Sequence, residues 1–384
     1  MTARREPIRV LFVDDEAHIL AGLERVLRRQ MGGWSMAFAN GGEDALARLA
    51  KDPADVIVSD MQMPGMDGAA LMQEVRRRHP EVVRLILTCH SNPGMILRAV
   101  LATHQFLVKP CCPEDLIRTV EGTMEPRRRV GGVAMCRRIG LIDSLPSPSK
   151  RLRQLRTALR RPSVSPAELG QIIREDPAMS VRVVQLCNSV YGQGRLPVTD
   201  PSEAVARVGV ELIHSLEKVP LFHDTVPGSL DLEAWAQHSL ETARFARGIA
   251  ERAEMDLSST GLVYLAGLLH DLGDLMEPDG MKVGGATEGP SRSGSAAGDY
   301  FLALWGFSSE MRAAIRGVHE PGNDTGEDAV RTALLGGHEL ARRMSPAGRE
   351  ELSLPPGGNR WVQRCQHLWA RRNRSSGSEE NTDE

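Results

Sequence analysis

Short apolar runs alternate with amphipathic stretches over the first 120 residues of the chain. The apolar runs fall at residues 9–13, 36–39, 56–59, 83–87 and 106–108. Each is followed by hydrophobic residues at helical spacing, as Ile19, Leu23 and Val26 are after the first run. Regular alternation of strand and helix patterns predicts a parallel sheet with helices on both faces. Residues 7–125 are therefore expected to form a five-stranded, flavodoxin-like α/β domain.

From about residue 139 the periodicity is helical throughout, which predicts a second, all-α domain over residues 139–345. Residues 262–269 are apolar on every face, as in a helix buried within a bundle. Asp176-Pro177 predicts a helix from Pro177 to Asn188, because an aspartate oxygen can cap free amides and proline is tolerated in the first turn.

Composition restricts the class of protein but names no partner. A chain of 384 residues exceeds one ordinary core and favours two domains. The formal net charge of −3 gives no general attraction to nucleic acid or membrane. No stretch approaches the roughly 18 apolar residues of a membrane span, so a cytoplasmic protein is expected. The 6 cysteines lack C-x-x-C spacing and are expected to be reduced thiols.

A basic connector follows the first domain, with residues 126–138 as the linker itself. Arg127, Arg128 and Arg129 open it, and Asp143 is the only acid before residue 161. No aromatic residues are interleaved for base stacking, so a solvated interdomain helix is expected rather than a nucleic-acid site. Residues 346–384 form a tail whose last dozen residues are expected to be disordered.

Polar side chains follow four of the five expected strands: Asp14 and Asp15, Asp60, Thr88, and Lys109. The carboxyl ends of parallel strands share one edge of a sheet, so these groups should converge. Three carboxylates held together repel one another unless a cation joins them, and an all-oxygen site suits Mg²⁺. Asp60 could then attack phosphorus to give an acyl phosphate, with Lys109 and Thr88 binding the transferred oxygens.

Any one of these residues could instead be a helix cap or turn former. Together, with Asp60-Met61-Gln62-Met63-Pro64-Gly65-Met66-Asp67-Gly68 and Lys109-Pro110, they resemble the receiver domain of bacterial two-component response regulators. That resemblance implies that Asp60 is the phosphoacceptor. It also implies that Asp15, Asp60 and the Gln62 backbone carbonyl hold Mg²⁺, with Asp14 assisting through water. Phe106 stands where the family often has a switching aromatic, although core packing explains it equally well.

Histidines and one aspartate offer a second candidate site in the helical region. His270-Asp271 ends the buried apolar helix, with His238 before it and His319 after it in the chain. Imidazole and carboxylate together suit transition metals. A single buried histidine is more commonly a hydrogen-bonded core residue, so both interpretations stay open.

Several motifs in the helical region resemble the HDOD domain, a relative of HD-type phosphohydrolases. The resemblance covers residues 139–345 and rests on motifs such as 175–177, 188–189, 267–273, 304–307 and 318–321. The expected HD metal set is incomplete. By that resemblance, one of the family's histidines would fall near Gly294, in a Gly/Ser-rich loop over residues 284–298. Val318 replaces another histidine, and His338 stands where an aspartate belongs. Because a lost ligand sharply weakens metal binding, we expect no transition metal and no hydrolysis.

Three functions remain to be compared. The first is a response regulator that is phosphorylated by a sensor histidine kinase, a phosphotransfer protein or a small phosphodonor. Its HDOD module would then contact a downstream signalling protein. The second is a receiver-regulated phosphohydrolase acting on a phosphodiester such as a cyclic dinucleotide, and the third is a scaffold with an inactive receiver. Metal content and phosphate uptake at Asp60 separate the three, and dimerisation stays open.

Overall fold

The computed structural model describes residues 6–30, 33–89, 93–190, 197–225, 230–276, 292–319, 328–343 and 360–367. The N-terminal part contains five parallel strands in the spatial order β2-β1-β3-β4-β5. The strands are β1 Ile8–Val13, β2 Trp34–Ala39, β3 Val56–Asp60, β4 Val83–Thr88 and β5 Gln105–Val108. The helices are α1 Ala17–Gln30, α2 Gly42–Lys51, α3 Gly68–Arg78, α4 Pro93–Ala99 and α5 Pro113–Arg127. This is the flavodoxin-like fold that the sequence predicted.

The central strand β3 lies between β1 and β4, and all five of its residues are buried. Helices cover both faces of the sheet, which explains why β3 is an apolar run rather than an alternating one. The polar residues that end the strands therefore gather at the carboxyl edge.

The connector is more ordered than the solvated helix that the charge run predicted. Helix α5 continues to Arg127, past the expected boundary at 125, and α6 follows at Val133–Gly140. Cys136, Ile139 and Gly140 of α6 are buried. The apolar side of this basic segment packs on the protein, while Arg137 and Arg138 stay exposed.

In its described residues the second domain is helical apart from a short parallel pair, β6 Leu145–Pro146 and β7 Phe222–His223. Its first helices are α7 Ser149–Leu159, α8 Pro166–Arg174, α9 Pro177–Val190, α10 Pro201–Val208 and α11 Val210–Glu217. Later helices are α12 Leu232–Arg252, α13 Leu257–Leu269, α14 Arg292–Leu304, α15 Ser309–His319 and α16 Ala329–Arg343, with a 3-10 helix at Leu272–Met276. As predicted, Asp176 caps α9, its Oδ1 accepting from Met179 N at 2.8 Å.

One expectation about the C-terminal half needs correction, and the structure adds a short helix to the predicted tail. The Gly/Ser-rich loop predicted to reach residue 298 ends earlier, because α14 begins at Arg292. Its Gly298 lies so close to Gly273 that an added Cβ would come within 3.1 Å of Gly273 N. Within the predicted tail, residues 360–367 are helical, with Cys365 buried beside Met255. The last dozen residues lie outside the described part of the chain.

All 6 cysteines are free thiols, as expected. None of the described helices is both long enough and apolar enough to cross a membrane.

The two domains pack directly against each other. The outer edge of β5 faces α9, where Gln185 Nε2 donates to the His104 carbonyl at 3.0 Å. On the next residue, Gln105 Nε2 donates to the Ala303 carbonyl at the end of α14, at 3.1 Å. Trp305 follows α14 and stacks under the buried guanidinium of Arg182, 3.8 Å from the ring centre. The edge strand of the sheet is thereby covered by the helical domain.

Candidate functional site

Two carboxylates and one ammonium group meet at the carboxyl edge of the sheet. Asp14 directly follows β1, Asp60 ends the neighbouring strand β3, and Lys109 follows β5. Lys109 Nζ lies 3.2 Å from Asp14 Oδ2 and forms an ion pair with Asp60 Oδ1. Burial pulls the pKa of Lys109 down, but the carboxylates of Asp60 and Asp14 outweigh burial and raise it above the ordinary value. The lysine is thus held charged between the two acids.

Thr88 ends β4 beside this group. It is buried, and its carbonyl accepts from the Lys109 backbone N–H at 2.7 Å. Strands β4 and β5 are paired with Thr88 opposite Val108. The residues predicted to bind a phosphoryl group therefore end adjacent strands.

The other predicted receiver residues are distributed around Asp60. Gln62 donates its backbone N–H to Asp60 Oδ2 at 2.6 Å. Asp15 directly follows Asp14 and is exposed, whereas Asp14 is buried. Phe106 is buried in the core of the sheet. Its position fits core packing, and its switching role stays a prediction.

The turn after β3 holds the Asp60 backbone tightly. Asp67 caps α3, its Oδ1 accepting from Ala70 N at 2.8 Å. A Cβ on Gly68 would collide with the Asp60 carbonyl and lie 2.9 Å from Met61 Cα. Only glycine fits this approach of α3 to the strand end.

The donor set at this edge fits a hard divalent cation. The carboxylates of Asp14 and Asp60 come from neighbouring strand ends. Asp15 directly follows Asp14, and Gln62, which offers its backbone carbonyl, lies two residues after Asp60. All of these donors are oxygens, which Mg²⁺ prefers.

The helical domain brings five ionisable side chains into one cluster. Asp271 Oδ2 lies 3.1 Å from His270 Nε2 and 3.6 Å from His238 Nε2, and its Oδ1 lies 3.6 Å from His319 Nε2. The ligand atoms of His238, His270 and His338 all lie within 4.8 Å of one another. We call His238, His270, Asp271, His319 and His338 the histidine cluster.

Hydrogen bonds from side chains to backbone carbonyls orient the cluster. His270 Nδ1 contacts the Gly267 carbonyl at 2.8 Å, and His319 Nε2 contacts the His270 carbonyl at 2.8 Å. Trp235 Nε1 donates to the carbonyl of Asp271 at 3.2 Å. These contacts direct His270 Nε2 toward the Asp271 carboxylate.

The pKa values of the cluster's residues are shifted in different directions. Burial would lower the pKa of His270, yet the charge of Asp271 outweighs it and raises that pKa. Burial would likewise raise the pKa of Asp271, but the imidazoles of His270, His319 and His238 bring it below its ordinary value. Burial lowers the pKa of His338 to about 3, so this ring is neutral at physiological pH. A neutral imidazole is the form that binds metals.

His338 stands in the sequence where an aspartate ligand is missing, but the structure places its side chain inside the cluster. It lies on α16, which packs along α12, the helix of His238. The rings of His338 and His270 are 5.1 Å apart. Its position on the inner face of an amphipathic helix was the available signal. Gly294, the position of the missing histidine, falls in the first turn of α14.

Comparison with protein families agrees with this arrangement. The model of the response regulator receiver domain matches residues 10–121. The model of the HDOD domain matches residues 145–281, and that of the HD domain matches residues 235–353. The HD match includes every member of the histidine cluster.

Curated relatives are similar to the N-terminal domain. The hydrogenase transcriptional regulatory protein HoxA of Cupriavidus necator is 34% identical over 118 residues, 30% of this chain and 24% of HoxA. The DNA-binding transcriptional regulator NtrC of Salmonella typhimurium is 38% identical over 117 residues, 29% of this chain and 24% of NtrC. The chain thus spans about a quarter of the length of these relatives.

Two solved structures also align with parts of this chain. The signal receiver domain of an HD domain-containing protein from Pseudomonas fluorescens Pf-5 is 26% identical, with a TM-score of 0.31, covering 33% of this chain and 99% of that one. The MmoQ response regulator from Methylococcus capsulatus is 22% identical, with a TM-score of 0.46, covering 58% of this chain and 94% of that one.

The sheet order, the acidic edge and the family match together define the N-terminal part as a response regulator receiver domain. The helical region that follows is an HDOD domain. The chain therefore joins a two-component receiver to an HDOD domain whose later helices also match the HD family.

Proposed function

We propose that the protein is a phosphorelay response regulator in which Asp60 accepts a phosphoryl group in a Mg²⁺-dependent reaction. The observation that supports this most directly is the meeting of Asp14, Asp60 and Lys109 at the carboxyl ends of three strands of one sheet. Asp14, Asp15, Asp60 and the Gln62 carbonyl would hold Mg²⁺, which would neutralise charge on the transferred group. Lys109 and Thr88 would bind its oxygens, as positively charged and hydroxyl groups do in phosphoryl transfer.

The phosphodonor in this proposal is a sensor histidine kinase or a phosphotransfer protein. The HDOD domain acts as a non-catalytic interaction module that contacts a downstream signalling protein. A phosphoryl group at Asp60 adds charge at the strand edge, draws Thr88 inward and biases the surface shared with the helical domain.

The test is intact-mass measurement after treatment with acetyl phosphate and Mg²⁺. Wild type is expected to gain one phosphoryl group, and Asp60→Ala is expected to gain none. Asp67→Asn is the matched control, since Asp67 lies seven residues beyond Asp60, where it caps α3 and pairs with Arg98. Wild type that gains no phosphate under these conditions would overturn the proposal and favour an inactive receiver.

A second candidate, a receiver-regulated HD-type phosphohydrolase, is favoured by one observation. His238, His270 and His338 can present three imidazole nitrogens to a single ion, with the Asp271 carboxylate beside them. Imidazole with carboxylate suits zinc, iron or manganese. When bound, such an ion would act as a Lewis acid toward a phosphodiester and its attacking water.

Metal analysis of the purified protein distinguishes the two candidates. Stoichiometric transition metal that is lost in His270→Ala and kept in His214→Ala would favour the hydrolase, because His214 is exposed on α11, outside the cluster. Absence of bound metal after incubation with Zn²⁺ or Mn²⁺ would favour the non-catalytic module.

A further inference from the structure

A buried arginine joins the receiver sheet to the connector. Arg84 stands near the start of β4, and its side chain is almost fully enclosed. Its Nε donates to the Ala102 carbonyl at 2.5 Å, and its Nη1 donates to the carbonyls of Pro80 and Val82 at 3.1 Å. Its Nη2 donates to the Gly140 carbonyl at 2.6 Å. Three of these acceptors belong to the receiver, and the fourth is the last residue of α6.

No carboxylate among the described residues forms an ion pair with Arg84. Burial first and the nearby charge of Arg76 second lower the pKa of Arg84 to about 9. The ring of His104 lies against the guanidinium, and its pKa falls well below the ordinary value, through burial first and the charge of Arg84 second. Arg84 is buried and its hydrogen-bond acceptors are all neutral, so the loss of any one acceptor would leave a buried donor unpaired at a cost in stability. The Gly140 carbonyl is therefore firmly fixed.

The connector fits this contact from its own side. A Cβ on Gly140 would collide with the Pro80 carbonyl oxygen, so the two backbones touch where only glycine can stand. Arg76 on α3 adds a hydrogen bond to the Leu141 carbonyl at 3.3 Å and an ion pair with Asp143. The end of α6 thus has one closely defined position on the receiver.

Arg84 shares its strand with Thr88. The two residues are four apart, so they lie on the same face of β4, roughly 13 Å from each other. His104 and Gln105 contact the helical domain at the start of β5, His104 directly before the strand and Gln105 as its first residue. Lys109 follows the other end of β5. Two adjacent strands therefore carry phosphoryl-binding residues at one end and interdomain contacts at the other.

From this geometry we propose that Arg84 couples the acidic edge to the docking of connector helix α6, so that occupancy at Asp60 and the Arg84–Gly140 contact influence each other. The inference rests on the proposed phosphorylation of Asp60. Because energetic coupling between two sites is reciprocal, loosening the connector must change binding at Asp60. The connector would then be one route by which the helical domain responds to the receiver, beside the direct contacts of Gln105 and Gln185.

The test uses the full chain with Mg²⁺ and beryllium fluoride. Beryllium fluoride becomes tetrahedral when it binds a carboxylate oxygen, and it can then take the place of a phosphoryl group. Binding is measured by titration calorimetry in wild type, Arg84→Met, Gly140→Ala and the double variant. Each single variant is expected to shift the apparent Kd by at least about fivefold in the same direction. The double variant is expected to shift it no further, because both changes break one contact.

Arg137→Gln is the matched control. Arg137 also joins α6 to the receiver, through an exposed ion pair with Glu81 at 3.4 Å, and its loss is expected to leave the Kd unchanged. Melting curves establish that each variant is folded. If Arg84→Met does not fold, Arg84→Lys answers the same question, since lysine keeps the charge but cannot reach four carbonyls.

The outcomes separate this inference from the proposed function. Absence of beryllium fluoride binding and of phosphate uptake in wild type would overturn the proposed function, and the inference with it. Normal binding in wild type, with an unchanged Kd in the folded Arg84 and Gly140 variants, would overturn the inference alone. Additive shifts in the double variant would also overturn it, because they would mean that the two residues act separately.

Discussion

At Gly68 the backbone of α3 lies directly against the backbone of Asp60. The start of α3 passes the Asp60 carbonyl with no room for a side chain, and the obstructing atoms belong to the backbone. A flexible neighbour could move aside, but the end of a central strand cannot do so cheaply. The glycine is therefore required by the shape of the pocket rather than by chain flexibility.

Gly68→Ala is expected to lower the free energy of unfolding by roughly 1–3 kcal/mol, the usual cost of overpacking. Urea denaturation of both proteins measures it. Gly22→Ala is the control, because Gly22 lies exposed within α1 with nothing within 4 Å of an added Cβ. That change should raise stability by about 0.5–1 kcal/mol. Equal stabilities for Gly68→Ala and wild type would show that the strand end yields.

Asp176 combines a structural role with complete burial. Its Oδ2 accepts from Ser147 Oγ at 2.6 Å, and its Oδ1 caps α9. Burial raises its pKa to about 6, although the hydrogen bonds from Ser147 and Met179 act in the opposite direction. The folded protein thus holds a proton on this carboxyl more strongly than the unfolded chain does.

Stability is therefore expected to fall as the pH rises from about 4 to about 6, and then to level off. Above pH 6 the folded state carries a buried charge that the unfolded chain exposes to water. The loss is at most about 3 kcal/mol, from two pKa units at 1.36 kcal/mol each. Asp176→Asn removes this titration, so the difference in unfolding free energy between the two proteins should follow that pH profile. A difference that is constant from pH 4 to 7 would contradict the assignment.

At the scale of elements, α14 and α15 are joined to the receiver through one buried acid. Asp299 on α14 accepts from Arg312 at 2.8 Å and from Arg316 at 3.0 Å, both on α15. Its second oxygen accepts from Arg129, just beyond α5, at 3.0 Å. Arg312 also donates to the Gly122 carbonyl within α5 at 3.3 Å. The acid thus holds three helices together.

Asp299→Ala is expected to cost about 3–5 kcal/mol, because it leaves the buried guanidinium of Arg312 without its partner. Thermal and urea denaturation measure the loss. Glu125→Ala is matched to it, since Glu125 pairs with the same Arg129 but is 60% exposed. That control should change stability by less than about 1 kcal/mol. Similar losses in both variants would mean that burial of the ion pair matters little.

At the scale of the whole molecule, the two domains share an interface that includes buried polar contacts. Gln105 and Gln185 each donate to a carbonyl of the opposite domain, and those carbonyls would lose this partner if the domains separated. Arg129 and Arg312 add charged contacts across the same boundary. Separation of the domains is therefore costly before either core unfolds.

One cooperative calorimetric transition is expected for the full chain, with agreement between the calorimetric and van't Hoff enthalpies. The double variant Gln105→Leu, Gln185→Leu keeps both cores and removes two interface donors, so its transitions should begin to separate. Two resolved transitions in wild type would show that the domains unfold independently.

The sequence by itself determined the sheet, the acidic edge and the helical character of the second domain. Strand residues buried on both faces must be apolar, and parallel strands must end at a common edge, so Asp14, Asp60 and Lys109 could be placed together from local pattern. The cap at Asp176 follows equally local chemistry. These features depend on neighbours along the chain and on the rule that parallel strands of a sheet end at a common edge.

Tertiary structure alone decided which distant residues meet. His338 lies about a hundred residues beyond His238 in the sequence, and only the packing of α16 along α12 brings their rings 5.5 Å apart. The charge of the basic connector predicts that it is solvated. Local pattern therefore gave no sign that α6 is partly buried or that its Gly140 contacts Arg84 on β4. Contacts of this kind depend on how the faces of helices and sheets pack against each other. The free energy of burying a residue is set by every element that covers it rather than by its neighbours in the chain.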